Sequence, residues 1–323
     1  MEGKIAAVID EMSDMLSISQ LRKLQEVLLR HFSDNSSEKG RDNSNSDYLD
    51  LFIEAKHIEG CSKRTLEYYR TTIVHFLKCV TIPVRKIPTE DIRKYLVDYQ
   101  KLHNCSNVTI DNVRRNISSF YSWLEEEDYI LKSPMRRIHK IKTKQIVKST
   151  ISDESIERIR DACTVDRDLA MIDLLYSTGI RVGELVNLDR DDIDFENREC
   201  IVSGKGDKER KVYFDAKAKI HLQKYLDSRI DDEHALFVTL DAPHARLKIS
   251  GVEIRIRELG RRLGLDRIHP HKFRRTVATR AIDKGMPIEQ VQKLLGHAQI
   301  DTTMQYAIVN QNNVKVSHQK YIS

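Results

Sequence analysis

Six side chains in four separated segments of this 323-residue chain are suited to phosphate chemistry. In STGIRVGELVNL (177–188), Gly179 ends one helical pattern and Val182 begins the next, leaving Arg181 at the junction. Ile180, Val182 and Leu185 bracket that arginine, and Glu184, three residues on, shares its helical face. Alone, this is also the pattern of an ordinary Arg–Glu surface pair. In SGKGDKERKVYF (203–214), Gly204 and Gly206 flank Lys205 in a tight turn between strands, which projects an ammonium from the sheet. The G-x-x-x-x-G-K-[ST] spacing of a phosphate-cradling loop is absent. In IHPHKFRRTVATRAIDKG (268–285), Pro270 suits the opening of a helix, and His271 and Arg274 share one face near its N-terminus, where anions are favoured. The opposite face (Phe273, Val277, Ala281) is apolar, so the basic side is turned in a definite direction. In MPIEQVQKLLGHAQIDTTMQYA (286–307), Pro287 starts a helix with Ile288, Val291, Leu294 and Leu295 as core positions. Gly296 ends it, His297 stands in the turn, and Asp301 can cap a further helix carrying Tyr306. A tyrosine so placed is equally a packing residue.

The elements that must position these groups are mainly helical. Ile5, Val8, Ile9, Met12 and Leu16 recur at helical spacing, as do Leu21, Leu24, Val27 and Leu28. Both stretches precede SDNSSEKGRDNSNSD (33–47), a polar linker, which makes 1–47 a separate helical arm. Such an arm either packs on its neighbour or contacts a second protomer. Residues 48–131 read as a compact helical domain. Within it, Ser62 caps a helix over 62–80, Thr89 and two acids open another over 89–100, and a third runs over 109–130. That third helix buries Ile110, Val113, Ile117, Phe120 and Trp123 and offers Arg114, Arg115 and Asn116 on its other face. Residues 132–150 form a basic interdomain linker, and 151–323 a second domain. There Ser152 caps a helix over 151–163, Gly179 stops one over 166–179, and residues 193–214 change period to short strands.

The 54 Lys and Arg outnumber the 49 Asp and Glu only slightly, giving a net charge of +5, but the excess is localised. The arm holds six basic and nine acidic residues, 48–150 holds 19 and 12, and 151–323 holds 29 and 28. KSPMRRIHKIKTKQIVK (132–148) carries seven basic residues and no acid, which fits either a solvated linker or a grip on a phosphate backbone. No run of apolar residues is long enough to span a membrane. Asp10, Glu11 and Asp14 interrupt the opening segment, which argues against a signal peptide. The five cysteines are scattered, without a C-x-x-C pair, so a reducing, cytoplasmic location is expected.

In this order the segments resemble the tyrosine recombinase (phage integrase) family. The resemblance rests on TGIRVGEL around Arg181, GKGDKER around Lys205, HKFR with His271 and Arg274, LLGH ending in His297, and TTMQY ending in Tyr306, nine residues after that histidine. It spans about 150–318, with a weaker match of 48–148 to the family's SAM-like core-binding domain. One departure is visible: the family commonly has a second histidine after the H-x-x-R arginine, and this chain has Arg275, a position outside the family's catalytic groups.

The resemblance implies a mainly α fold with a small antiparallel sheet in the C-terminal domain, the two domains forming a C-shaped clamp on double-stranded DNA. Arg181, Arg274 and His297 would hold the scissile phosphate. Lys205 would protonate the 5′-oxygen, His271 would assist proton transfer, and Tyr306 would attack to give a 3′-phosphotyrosyl intermediate. No cofactor or metal is implied, and His269, His271 and His297 lack a carboxylate or Cys at ligand spacing. Arg114, Arg115, Arg136, Arg137, Lys140 and Lys142 are the expected phosphate contacts. The family assembles as a tetramer on two duplexes carrying recombination sites, with room for an accessory DNA-bending or directionality protein. The segment after Tyr306 would dock on a neighbouring protomer or pack on its own. The arm before residue 48 leans toward integration or excision of a mobile element, with Xer-type chromosome or plasmid dimer resolution as the alternative. A DNA-binding regulator without catalysis would not require the whole set of six, and a monomeric type IB topoisomerase would not require the arm and tail.

Overall fold

A computed structural model of the chain describes residues 2–33, 44–143, 149–204, 209–265, 267–297, 299–306 and 319. The expected Lys205 turn and the segment after Tyr306 therefore lie outside the described residues, except for Gly204 and Gln319. The fold is mainly helical with one three-stranded antiparallel sheet, and the chain divides into two compact units, Met1–Gln145 and Ile146–Ser323.

The first unit contains α1 (Glu2–Glu11), α2 (Ile18–Ser33), α3 (Asn45–Ile58), α4 (Lys63–Cys79), α5 (Thr89–His103) and α6 (Asn107–Glu126). Ser62 and Ser106 start α4 and α6 by accepting the free amides of Thr65 and Thr109 at 3.3 and 3.2 Å. On α6, Ile110, Val113, Ile117, Phe120 and Leu124 fall three or four residues apart and are buried against Phe52 of α3 and Ile73 and Phe76 of α4. Each such side chain contributes about 1.5–3 kcal/mol when fully withdrawn from water. The helix expected to reach residue 130 stops at Glu126, because Asp128 adopts φ +57° and the Tyr129 and Ile130 amides turn back onto the Leu124 carbonyl. The expected open face of α6 is also smaller than its spacing suggests. Asn116 is buried, donating to Thr72 Oγ1 at 2.9 Å.

The basic strip is fastened to this unit over residues 132–143. Residues 134–137 form a 3-10 turn with Met135 in the core, and Ile138 and Ile141 pack beside it. The Pro134, Arg137 and Lys142 carbonyls accept from Thr89, Arg93 and Asn107.

The second unit runs α7 (Asp153–Asp161), α8 (Asp166–Thr178), α9 (Val182–Asn187), β1 (Ile193–Asp194), β2 (Glu199–Ser203), β3 (Glu209–Tyr213), α10 (Ala216–Asp227), α11 (Ile249–Arg262), α12 (Pro270–Asp283), α13 (Ile288–Leu295) and α14 (Ile300–Met304). The sheet order is β1-β2-β3. Its alternation turns Cys200 and Val202 of β2 and Val212 of β3 into the core, with Arg210 beside them on the same side of β3 and opposite Val202. Helix α8 is the central element, buried on most of its circumference and packed on α10 and α12. Its two buried acids are paired: Asp168 with Arg167 and Arg255, Asp173 with Arg160 and His221. That pairing is what makes the charges tolerable there. Gly179 and Gly296 end α8 and α13 in the left-handed conformation, at φ +65° and +64°.

Candidate functional site

Arg274 lies on the inner face of α12 between Phe273 and Thr276, almost wholly withdrawn from solvent. Its Nη1 donates to the Gly179 carbonyl at 2.8 Å, and its Nη2 donates to the Leu295 carbonyl. These are the free carbonyls at the C-termini of α8 and α13, which carry partial negative charge and so suit a cation. Burial, with Arg181 nearby, lowers the Arg274 guanidinium to about 10, so it remains charged at neutral pH.

Arg181 follows Gly179 and Ile180 and stands at the N-cap of α9, its side chain about two-fifths exposed. Nη1 donates to Glu184 Oε1 at 2.8 Å and Nη2 to the Gly296 carbonyl at 3.1 Å. Its backbone amide donates to Glu184 Oε2 at 2.8 Å. The expected Arg181–Glu184 pairing is therefore present, but it is no ordinary surface pair. Glu184 is buried, and both its oxygens also accept from Arg210, at 2.8 and 2.7 Å. Burial would raise the Glu184 carboxyl; the bonds from Arg210 and Arg181 more than offset this and hold it at about 2.

Arg210 also donates from Nε to the Leu294 carbonyl at 3.1 Å. Three guanidiniums thus occupy three successive carbonyls at the end of α13, those of Leu294, Leu295 and Gly296. The next residue is His297. Its backbone is held from both sides by Gln292, whose carbonyl accepts from it at 3.1 Å and whose amide donates to it at 3.0 Å. Burial, then Arg274, Arg181 and His271, push the His297 imidazole down to about 4, so it is neutral at pH 7. Its Nδ1 lies 2.8 Å from Thr303 Oγ1, and its ring lies 5.9 Å from the Tyr306 ring, 25° from parallel. Asp301 does not cap α14; Gln299 occupies the N-cap position without a side-chain hydrogen bond, and Asp301 stands in the first turn, where its charge complements the helix dipole.

His271 is exposed at the start of α12, stacked on His269 at 6.4 Å and within electrostatic reach of His297. Arg275 donates to the Ser149 carbonyl at 2.9 Å; burial lowers its guanidinium, and Tyr306 opposes that shift. Five of the six expected groups, Arg181, His271, Arg274, His297 and Tyr306, are therefore gathered around the C-terminus of α13, and Lys205 lies outside the described residues. Arg210 and Thr303 join this cluster without belonging to the six. The available signal for Arg210 was an arginine at an inward-facing position of a strand; for Thr303 there was none, since a threonine in a short polar helix is commonplace.

In the first unit the expected DNA contacts divide. Arg114 differs from expectation: it is largely buried and donates to Asp111 Oδ1 at 2.8 Å, while exposed Arg115 donates to Oδ2 at 3.0 Å. The two arginines sit three and four residues after a buried acid, and that spacing draws them back onto it. Arg136 is exposed and paired with Glu125 at 2.6 Å; Arg137, Lys140 and Lys142 are exposed.

Residues 136–313 match the phage integrase family, and residues 48–131 match the phage integrase N-terminal SAM-like domain. The chain belongs to the phage integrase family. It is a tyrosine recombinase, similar to the tyrosine recombinase XerC of Oceanobacillus iheyensis, with 30% identity over 293 residues covering 84% of this chain and 95% of that protein. The XerC of Leptospira interrogans is 32% identical over 282 residues, covering 83% and 91%. Two solved recombinase structures share the fold. The Tn1549 transposon integrase in complex with a circular intermediate DNA has a TM-score of 0.70 at 19% identity, covering 84% of this chain and 98% of that one. A lambda integrase dimer bound to a COC′ core site has a TM-score of 0.68 at 19% identity, covering 88% and 85%. Among the described residues of this tyrosine recombinase, no helix is long and apolar enough to cross a membrane.

Proposed function

We propose that this recombinase cleaves and rejoins double-stranded DNA by transesterification at Tyr306. One observation carries the reading: Arg181 and Arg274 are bound to neighbouring carbonyls at one helix end, with neutral His297 and Tyr306 in the same cluster. Two guanidiniums so held can each donate to the non-bridging oxygens of one phosphate, and their positions are set before DNA arrives. His297 adds a donor to the same oxygens. The Tyr306 oxygen attacks phosphorus and the bond to the 5′-oxygen breaks. The phenol proton passes to His271, and Lys205 supplies a proton to the departing 5′-oxygen. The product is a 3′-phosphotyrosyl link and a free 5′-hydroxyl. A 5′-hydroxyl from a second strand reverses the step and completes the exchange, so no high-energy cofactor is consumed. Arg137, Lys140 and Lys142 contact backbone phosphates, and four protomers assemble on two duplexes, each carrying a recombination site.

The biological role favoured is of the Xer type, the resolution of chromosome or plasmid dimers. The relatives named XerC are covered over 91% and 95% of their length, which supports this role over integration of a mobile element. That second reading rested on the arm before residue 48, and an arm by itself does not distinguish the two.

The test is a nicked suicide duplex selected from a randomised library by covalent capture. An SDS-stable adduct should form, survive EDTA and disappear in Tyr306→Phe. An adduct that persists in that variant overturns the nucleophile.

A further inference from the structure

We propose that Thr303 is a positioning residue for His297: its hydroxyl donates to Nδ1 and fixes the imidazole in the tautomer that carries its proton on Nε2. The inference rests on the reading of His297 as a phosphate donor and Tyr306 as the nucleophile.

Thr303 Oγ1 and His297 Nδ1 are 2.8 Å apart, and Thr303 is fully buried beside the half-buried imidazole, so bulk water does not compete for its hydroxyl. A neutral imidazole has one N–H, and only the nitrogen that carries it can donate to a phosphate oxygen. The ring is held neutral by burial and by the three arginines around it. Its tautomer therefore decides what it can do.

Among the described residues, the imidazole is the one hydrogen-bond partner of the Thr303 hydroxyl. Were Nδ1 protonated, it would donate to Oγ1, and the hydroxyl hydrogen would be buried with no acceptor among those residues. A buried donor left without a partner costs about 1–3 kcal/mol. With the hydroxyl donating to Nδ1, both groups are satisfied and Nε2–H is left free for a substrate oxygen.

Thr303 is also coupled to the nucleophile. Its carbonyl accepts from the Tyr306 amide at 2.9 Å, at the turn that closes α14. The Gln292 bonds to the His297 backbone fix the other end of this short segment. One residue thus sets the proton position on the donor and the turn from which the phenol projects.

The test uses the full-length protein and the selected suicide duplex in single-turnover cleavage. Thr303→Val keeps the shape and removes the hydroxyl. It should slow cleavage by about tenfold to a hundredfold, the usual range when a partner that orients a functional imidazole is removed, with DNA binding unchanged. Thr303→Ser should recover most of that rate. The double variant Thr303→Val/His297→Ala should be no slower than His297→Ala, because a residue acting through His297 has nothing left to act on. Wild-type rate in Thr303→Val, or losses that add in the double variant, overturns the proposal. Should Thr303→Val fail to fold, ¹⁵N spectra of the wild-type protein, with His297 assigned through His297→Gln, decide the matter. A proton on Nε2 supports the proposal, and one on Nδ1 overturns it. Failure of the underlying reading is separate: it shows as no adduct from the wild-type protein, or an adduct that persists in Tyr306→Phe.

Discussion

Arg210 grips Glu184 with both ends of its fork, at 2.8 and 2.7 Å, and Glu184 in turn holds both the backbone amide and the guanidinium of Arg181. A strand residue therefore locates an arginine on another element through a shared buried carboxylate. Arg210→Ala removes the larger part of that compensation and frees the Leu294 carbonyl. It should destabilise the second unit by about 3 kcal/mol, the scale for breaking a buried ion pair on one side. Arg210→Lys restores charge but not the two-point geometry, so it should recover more stability than cleavage rate. Urea denaturation and suicide-duplex cleavage read the two effects separately.

Stability should fall with acidification in two windows. His297 is held at about 4 in the folded protein, below its ordinary 6.5, so between these values the unfolded chain binds the proton and the folded one does not. The contribution is present above pH 6.5 and is lost as pH falls toward 4. Glu184, held at about 2 against an ordinary 4.5, contributes above pH 4.5 and loses that contribution as pH falls toward 2. Urea midpoints measured from pH 7 down should drop in the wild-type protein. The drop between pH 6.5 and 4 should be smaller in His297→Gln, and the drop below pH 4.5 smaller in Glu184→Gln.

Gly296 should tolerate no side chain. Its φ of +64° disfavours a β-carbon, and one placed there would come within 2.9 Å of Arg210 Cδ. Gly296→Ala should cost about 1–2 kcal/mol from the backbone conformation alone. It should also slow cleavage, because Arg210 would have to leave its place against Glu184. A thermal melt and the cleavage assay check both halves.

The basic residues of the first unit should fall into two classes. Arg114→Ala should leave Asp111 undercompensated and destabilise the helical unit by about 1–2 kcal/mol, with little change in the salt dependence of DNA binding. Lys140→Ala and Lys142→Ala should leave stability unchanged and each reduce the slope of log binding constant against log salt by about 1. Fluorescence anisotropy on the selected duplex over a salt series distinguishes them.

Much of this protein is legible in its residues. Local periodicity marks the faces of α4 and α6, serines at 62 and 152 mark helix starts, and glycines at 179 and 296 mark helix ends. All of these are interactions within one turn of the chain, where spacing and chemistry are the same thing. The order of the Arg181, Lys205, His271–Arg274, His297 and Tyr306 segments likewise requires no coordinates. What periodicity does not carry is which distant backbone a side chain will meet. Arg274 reaches the Gly179 carbonyl, 95 residues away, and Arg210 the Leu294 carbonyl, 84 residues away. Those partners exist only once α8, α12, α13 and β3 have packed, because a helix C-terminus exposes its carbonyls in space rather than in sequence. In the first unit the burial of Asp111 drew Arg114 inward, and in the second the packing of α13 on α14 placed Thr303 beside His297. Residue types and their order determined the chemistry available to this chain; burial and long-range hydrogen bonding determined which charges were fixed, which were compensated and which nitrogen was left to donate.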